Sequence, residues 1–118
     1  MARKIPFSYN FSVLNDSSGF KEFNLGYGRS LRSLTANIQE DNLGPMEISF
    51  YILVEGVHKQ QIGQPQPLYD GEGYSTARRF QWAKELPMSR VIENKLFANY
   101  SNYCGDDLTI EISGFKER

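Results

Sequence analysis

From Met46 to Val54 the chain sets Met46, Ile48, Phe50, Ile52 and Val54 on one parity, and Glu47, Ser49, Tyr51 and Leu53 on the other. Side chains alternating at period two lie on opposite faces of an extended strand. The stretch therefore predicts a strand with one buried face. Tyr51 and Leu53 on its second face predict a central strand covered on both sides. The same period recurs at Phe7, Tyr9, Phe11 and Val13, at Phe23, Leu25 and Tyr27, and at Leu34, Ala36 and Ile38. It returns at Phe80 and Trp82, on the parity of Thr76 and Arg78. Apolar residues nowhere repeat at helical spacing over a useful length. Only Ala83–Glu93 leaves room for a short helix, and Pro87 argues against one.

Turn signals divide these runs. Asn15-Asp16-Ser17-Ser18-Gly19 reads as a turn, with Gly19 the residue suited to positive φ. Asn42-Leu43-Gly44-Pro45 is a break. Beyond Gly56 the run to Ile62 either continues the strand or turns back. Gly63 to Tyr74, carrying Pro65 and Pro67, reads as one long exposed loop, and loops of that length usually carry function. Near the end, Ile92–Leu96–Ala98 and Leu108–Ile110–Ile112 flank the polar connection Tyr100–Asp107 and predict a hairpin lining one wall of a core. Residues 7–13 and 23–27 offer a second hairpin across a long loop. The sum is an all-β chain: a single antiparallel β-sandwich domain over residues 1–118, jelly-roll-like or Ig-like, of about seven or eight strands.

The totals exclude several classes of function. A chain of 118 residues buries one core and is too short for two. Thirteen Lys and Arg against 14 Asp and Glu give a net charge of -1, so no bulk field draws the chain to nucleic acid or an anionic membrane. Met1-Ala2-Arg3-Lys4 leads into alternation instead of an apolar core segment, so no signal peptide is expected. No apolar run approaches the ~20 residues of a membrane helix. Cys104 is the single cysteine, which rules out an internal disulfide and a cysteine zinc cluster. A catalytic thiol or hydroxyl would have to use His58, the single histidine, and no spacing brings a partner to it. Asp70-Gly71-Glu72-Gly73 lacks the length and ligand rhythm of a calcium loop, and Asp106-Asp107 reads as a turn pair opening a strand. Gly26-Tyr27-Gly28 is half a dinucleotide fingerprint with no helix behind it. The expectation is a protein without enzymatic activity, cofactor or metal.

A contact surface is the remaining expectation. Arg29 and Arg32 precede the third strand, and Arg78-Arg79 stand beside Phe80, where one of two neighbours must face away from the core. Arginine and tyrosine are enriched in interfaces, which adds Tyr69 and Tyr74 in the long loop. Tyr69, Tyr74 and Tyr103 together also offer ring faces to a sugar, so a carbohydrate-binding β-sandwich module is the alternative reading.

One further pattern lies in Phe80-Gln81-Trp82-Ala83-Lys84-Glu85-Leu86-Pro87, Leu96-Phe97-Ala98-Asn99, and Asp107-Leu108-Thr109-Ile110-Glu111-Ile112-Ser113-Gly114-Phe115-Lys116. This last third of the chain resembles the ending of small virion proteins of tailed bacteriophages. There an aromatic-rich strand leads to an apolar-Pro turn, and the chain closes on apolar-x-apolar-x-Gly-aromatic-Lys. The resemblance implies a small β-sandwich on the head shell, a capsid decoration or vertex-associated subunit made in the host cytoplasm and residing in the virion. Its implied partners are capsid protein or another virion protein, and further copies of itself as a homo-oligomer. Nucleic acid and membrane are not implied. Contact is then expected through loops and edge strands, with Arg29, Arg32, Arg78 and Arg79 as anchors.

Overall fold

The computed structural model describes residues 3–38, 46–54, 58–68, 79–103 and 105–118, without the side chains of 54, 58–60, 63–68 and 79. The alternating runs become eight strands: β1 (Lys4–Val13), β2 (Ser17–Gly26), β3 (Ser30–Ile38), β4 (Met46–Val54), β5 (His58–Leu68), β6 (Arg79–Pro87), β7 (Asn94–Asn102) and β8 (Leu108–Glu117). No helix occurs among the described residues, and β6 runs through to Pro87 where a helix had room. The strands form two antiparallel four-stranded sheets, in the orders β1-β8-β3-β6 and β2-β7-β4-β5. Consecutive strands pair only at β4–β5; every other connection passes from one sheet to the other. This is the jelly-roll order and not the Ig-like one.

The crossings correct both predicted hairpins. β7 and β8 lie in opposite sheets, each an inner strand with a neighbour on either side, and β1 and β2 are likewise split between the sheets. Period-two alternation fixes which face of a strand is buried. It is silent on whether the next strand lies beside it or across the core from it.

The predicted loop at Gly63–Tyr74 is corrected in its first half. Residues through Leu68 belong to β5, which pairs with β4 alone and forms a sheet edge. An edge strand tolerates proline because one side of its backbone has no ladder to lose. Pro67 stands opposite Glu47, and Pro65 falls within the register shift between Ile48 and Phe50. Residues 69–74, like Cys104, lie outside the described residues. The turn after β1 also differs in detail: Asp16 takes φ 57°, whereas Gly19 is inside β2. Aspartate visits this left-handed region because its short side chain bonds locally. Edge strand β2 carries Lys21 on its core-facing parity, opposite Ala98, and leaves it exposed, a device that discourages edge-to-edge pairing.

The two inner faces form one cluster. Leu34, Ala36, Ile110 and Ile112 of one sheet and Ile48, Phe50, Ile52, Leu96 and Ala98 of the other are fully buried. Burying each large aliphatic or Phe side chain contributes roughly 1.5–3 kcal/mol. Phe50 and Phe80 meet across the sheets with ring centroids 4.9 Å apart. On the β1/β2 side, Tyr9 stacks on Phe23 at 4.9 Å, Phe11 lies 5.5 Å from Phe23, and the Tyr9 hydroxyl donates to the Asn24 carbonyl at 2.8 Å. Trp82 and Tyr100 pack against this core as half-buried residues. β4 is central in its sheet, but no described element covers its second face, where Tyr51 and Leu53 are half-buried. The expected double covering is therefore not seen.

Gly114 marks where β8 crosses β3. A Cβ there would collide with the Ser33 carbonyl oxygen and lie 2.7 Å from the Phe7 ring. One of those contacts is backbone, so relief requires moving a strand. Gly114→Ala is expected to lower unfolding free energy by at least about 2 kcal/mol in urea titration, while Ser113→Ala on the outer face changes it by less than about 0.5 kcal/mol.

Candidate functional site

Crossing connections meet at each end of the sandwich and are stitched together there. Where β7 ends, the Asn102 amide donates to the Val13 carbonyl at 3.2 Å and the Asp106 carbonyl at 2.9 Å. The Asn15 N–H donates to Asp107 Oδ1 at 2.8 Å, and Gly105 N–H donates to Asn15 Oδ1 at 2.9 Å. Where β7 begins, Asn94 is fully buried. Its amide donates to the Gly26 carbonyl at 2.9 Å and the Ser89 carbonyl at 2.8 Å, and its Oδ1 accepts from Ser89 N–H at 3.0 Å. Gly28 N–H donates to the Ser89 carbonyl at 3.1 Å, Met88 N–H to the Arg29 carbonyl at 3.0 Å, and Arg29 N–H to the Glu117 carbonyl at 2.7 Å.

This second junction frames an open cleft of about 550 Å³. Ile5, Tyr27, Arg90, Lys116 and Arg118 line it around the Gly26–Gly28 backbone. Three of these are cations, and no acidic residue is among the described residues that line it. Gly26 has φ 69°, and the Lys116 ammonium donates to the neighbouring Leu25 carbonyl. Burial holds the Lys116 pKa below the usual lysine value. Tyr27 is 52% exposed. The nearby acids are engaged elsewhere: Glu93 accepts from the Asn24 amide at 2.9 Å, and Glu117 lies 3.7 Å from Arg32.

The outer faces of the two sheets differ in chemistry. On the β1-β8-β3-β6 sheet, register aligns Ser8, Ser113, Thr35 and Gln81 in one cross-strand row, and Asn10, Glu111 and Asn37 in the next. On the β2-β7-β4-β5 sheet, Phe97 stands opposite Tyr51, with Phe20 and Leu53 at diagonal positions on the same face. The Phe20 and Phe97 rings are 6.0 Å apart, and Phe20 is 63% exposed. Glu22 and Lys95, 3.8 Å apart, border this apolar patch. A second cleft, on the hydroxyl-rich face between Lys4, Ala83 and Phe115, is spanned by Arg32 and Glu85 at 3.2 Å. Glu85 thus engages one of the three cations there, and Lys4 and Lys84 also line the cleft.

The predicted contact residues scatter. Arg29 is exposed at the cationic end, held there by its backbone. Arg32 is ion-paired to Glu85 and Glu117. Arg79 opens β6 opposite Asn37. Tyr69, Tyr74 and Arg78 lie outside the described residues. Tyr103 is 61% exposed at the opposite end, in the β7–β8 connection. Among the described residues no three His, Cys, Asp or Glu side chains gather as a metal site. The reading along the chain passed over Tyr27, Arg90, Lys116, Arg118, Phe20 and Phe97. Phe20 and Phe97 each carry a local signal, a large ring on the outward parity of a strand.

No family model and no curated protein matches the sequence. Solved structures match in fold. A chain of the acid-stable capsid structure of Helicobacter pylori bacteriophage KHP30 aligns with a TM-score of 0.58 at 11% identity, over 98% of this chain and 93% of that one. T=1 particles derived from infectious bursal virus give 0.53 at 13% identity, over 98% of this chain and 32% of the viral one, so the chain spans about a third of that protein. The SPBc2 prophage-derived protein YomS gives 0.46 at 18% identity, over 98% and 96%. At 11% and 13% identity, the first two likenesses show the fold alone.

Asn94→Ala removes one acceptor and two donors from a buried junction; the Ser89 carbonyl keeps the Gly28 N–H, while the Ser89 N–H loses the Asn94 side chain. A loss of about 1–3 kcal/mol is expected in chemical denaturation, with faster hydrogen exchange at the Gly28 and Met88 amides.

Proposed function

We propose that this chain is a non-enzymatic structural protein of a phage virion, a capsid decoration or vertex-associated subunit that seats the outer face of the β2-β7-β4-β5 sheet on the head shell. The observation that carries this reading is the near-complete mutual coverage with a chain of the KHP30 capsid. The two chains are of similar length, so the match is to a whole small capsid component and not to a segment of a large shell protein. The apolar patch supports the choice of face. Phe20, Phe97, Tyr51 and Leu53 give the aromatic-rich centre, and Glu22, Lys95 and Glu47 the polar border, of a protein interface. Jelly rolls also serve as sugar-binding modules, with exposed Tyr103 as the described loop aromatic, and glycan binding is the competing outcome. Association of several copies on a lattice belongs to the same proposal.

Co-sedimentation with assembled particles from the same source tests it. The protein is expected to pellet with the particles, and Phe20→Ser to weaken attachment at least about tenfold while changing stability by less than about 1 kcal/mol. A protein that stays in the supernatant beside intact particles, or that binds a glycan array in a manner abolished by Tyr103→Ala, sinks the reading. Native mass measurement in solution reports the number of copies.

A further inference from the structure

Charge is segregated along this molecule. Its extents are 44 × 25 × 20 Å. A ten-residue strand spans about 33 Å, so the strands run along the longest axis and the connections form its two ends. One end, where β1 begins and β8 finishes, gathers Arg3, Lys4, Arg29, Arg90, Lys116 and Arg118; the Arg118 N–H donates to the Arg3 carbonyl at 2.9 Å and fastens the two strands there. The described connections of the other end carry Asp16, Asp106 and Asp107. Among the described residues the first end holds those six cations against Glu93 and Glu117, and the connections described at the other end are acidic.

The geometry points to the cleft between Tyr27, Arg90, Lys116 and Arg118 as a docking site for an acidic peptide segment. Cations lining a concave surface with low-dielectric walls raise the local potential and draw anions to it. Arg90 and Arg118 are exposed and present planar forks that pair bidentately with carboxylates. Lys116 adds a fixed ammonium: one of its three donors is spent on the Leu25 carbonyl, which orients the rest. Ile5 and the half-exposed ring of Tyr27 supply an apolar wall for a side chain between the carboxylates. The buried Asn94 junction pins the Gly26–Gly28 floor, so the site is formed before a ligand arrives.

A volume of about 550 Å³ accommodates a few residues of extended chain. Nucleic acid fits less well. Its affinity grows with the number of phosphates neutralised, and this cationic surface is one short cleft on a chain whose far end is acidic. The site lies apart from the proposed shell-binding face and does not depend on that reading.

Fluorescence anisotropy with the purified full chain tests the site. The probe is a fluorescein-labelled hexapeptide of four glutamates flanking two leucines, in 50 mM salt. Saturable binding is expected. Arg90→Gln combined with Arg118→Gln should weaken it at least tenfold with the thermal midpoint unchanged, since both side chains are exposed. Screening in 0.5 M salt should weaken it severalfold. A glutamine-for-glutamate probe binding as tightly, or affinity unmoved by the double variant, overturns the proposal. So does a hexamer of deoxythymidine that binds more tightly and loses affinity in the same variant. Particles are absent from this assay, so its failure leaves capsid attachment standing.

Discussion

The structure depends on two inner strands, β7 and β8, facing each other from opposite sheets. Leu96 and Ala98 of one, and Ile110 and Ile112 of the other, belong to the same buried cluster, and each strand has hydrogen-bonded neighbours on both sides. Had the two paired as a hairpin, one sheet would have gained a strand at the other's expense. The crossing keeps both sheets at four strands and both inner faces fully used. It also carries a polar cost: each connection takes backbone over the end of a dry core. Asn102 and Asn94 meet that cost at opposite ends of β7, each satisfying carbonyls from two different connections.

Those asparagines show what was readable in the sequence and what was not. They sit on the parity of Leu96, Ala98 and Tyr100, so the sequence already held two amides on the core side of a strand. A buried amide needs partners, and a strand offers none on its core face. That reading depends on the strand reaching Asn102, whereas Tyr100–Asp107 reads along the sequence as a polar connection. The strand at Met46–Val54, the strand at Phe7–Val13 and the closing one at Leu108 were legible because burial imposes period two locally. Sheet membership was not, because nothing local separates a five-residue crossing from a five-residue hairpin loop. β5 was misread from Gly63 onward for a related reason: Pro65 and Pro67 forbid an inner strand, and the chain uses them at an edge.

The cationic cleft was hidden for a topological reason. Ile5 and Tyr27 come from the start of β1 and the end of β2, Arg90 from the β6–β7 connection, and Lys116 and Arg118 from the end of β8. No window of the sequence holds more than two of them. Gly26-Tyr27-Gly28, half a dinucleotide fingerprint with no helix behind it, forms the floor of that cleft. Its first glycine takes a positive φ and admits the Lys116 ammonium, to which a Cβ at Gly26 would come within 3.2 Å. Arg32, an expected contact residue, pairs with Glu85 and Glu117 of the strands on either side of it.

The placement of the two candidate surfaces has a geometric consequence. A sheet face is parallel to the strands, and a strand end is perpendicular to them. The Phe20–Phe97 patch occupies a face, whereas Arg90, Lys116 and Arg118 occupy an end. Were the patch covered, the cleft would remain open at the side of the molecule, where an acidic segment could reach it. The two contacts also differ in their physics. Burial of aromatic rings is not weakened by screening, whereas the cleft acts through charges that ionic strength screens. A jelly roll fastened to a curved surface by its face and to a neighbour by its end would hold its place by two independent interactions. Avidity would then make the assembly tighter than either contact alone.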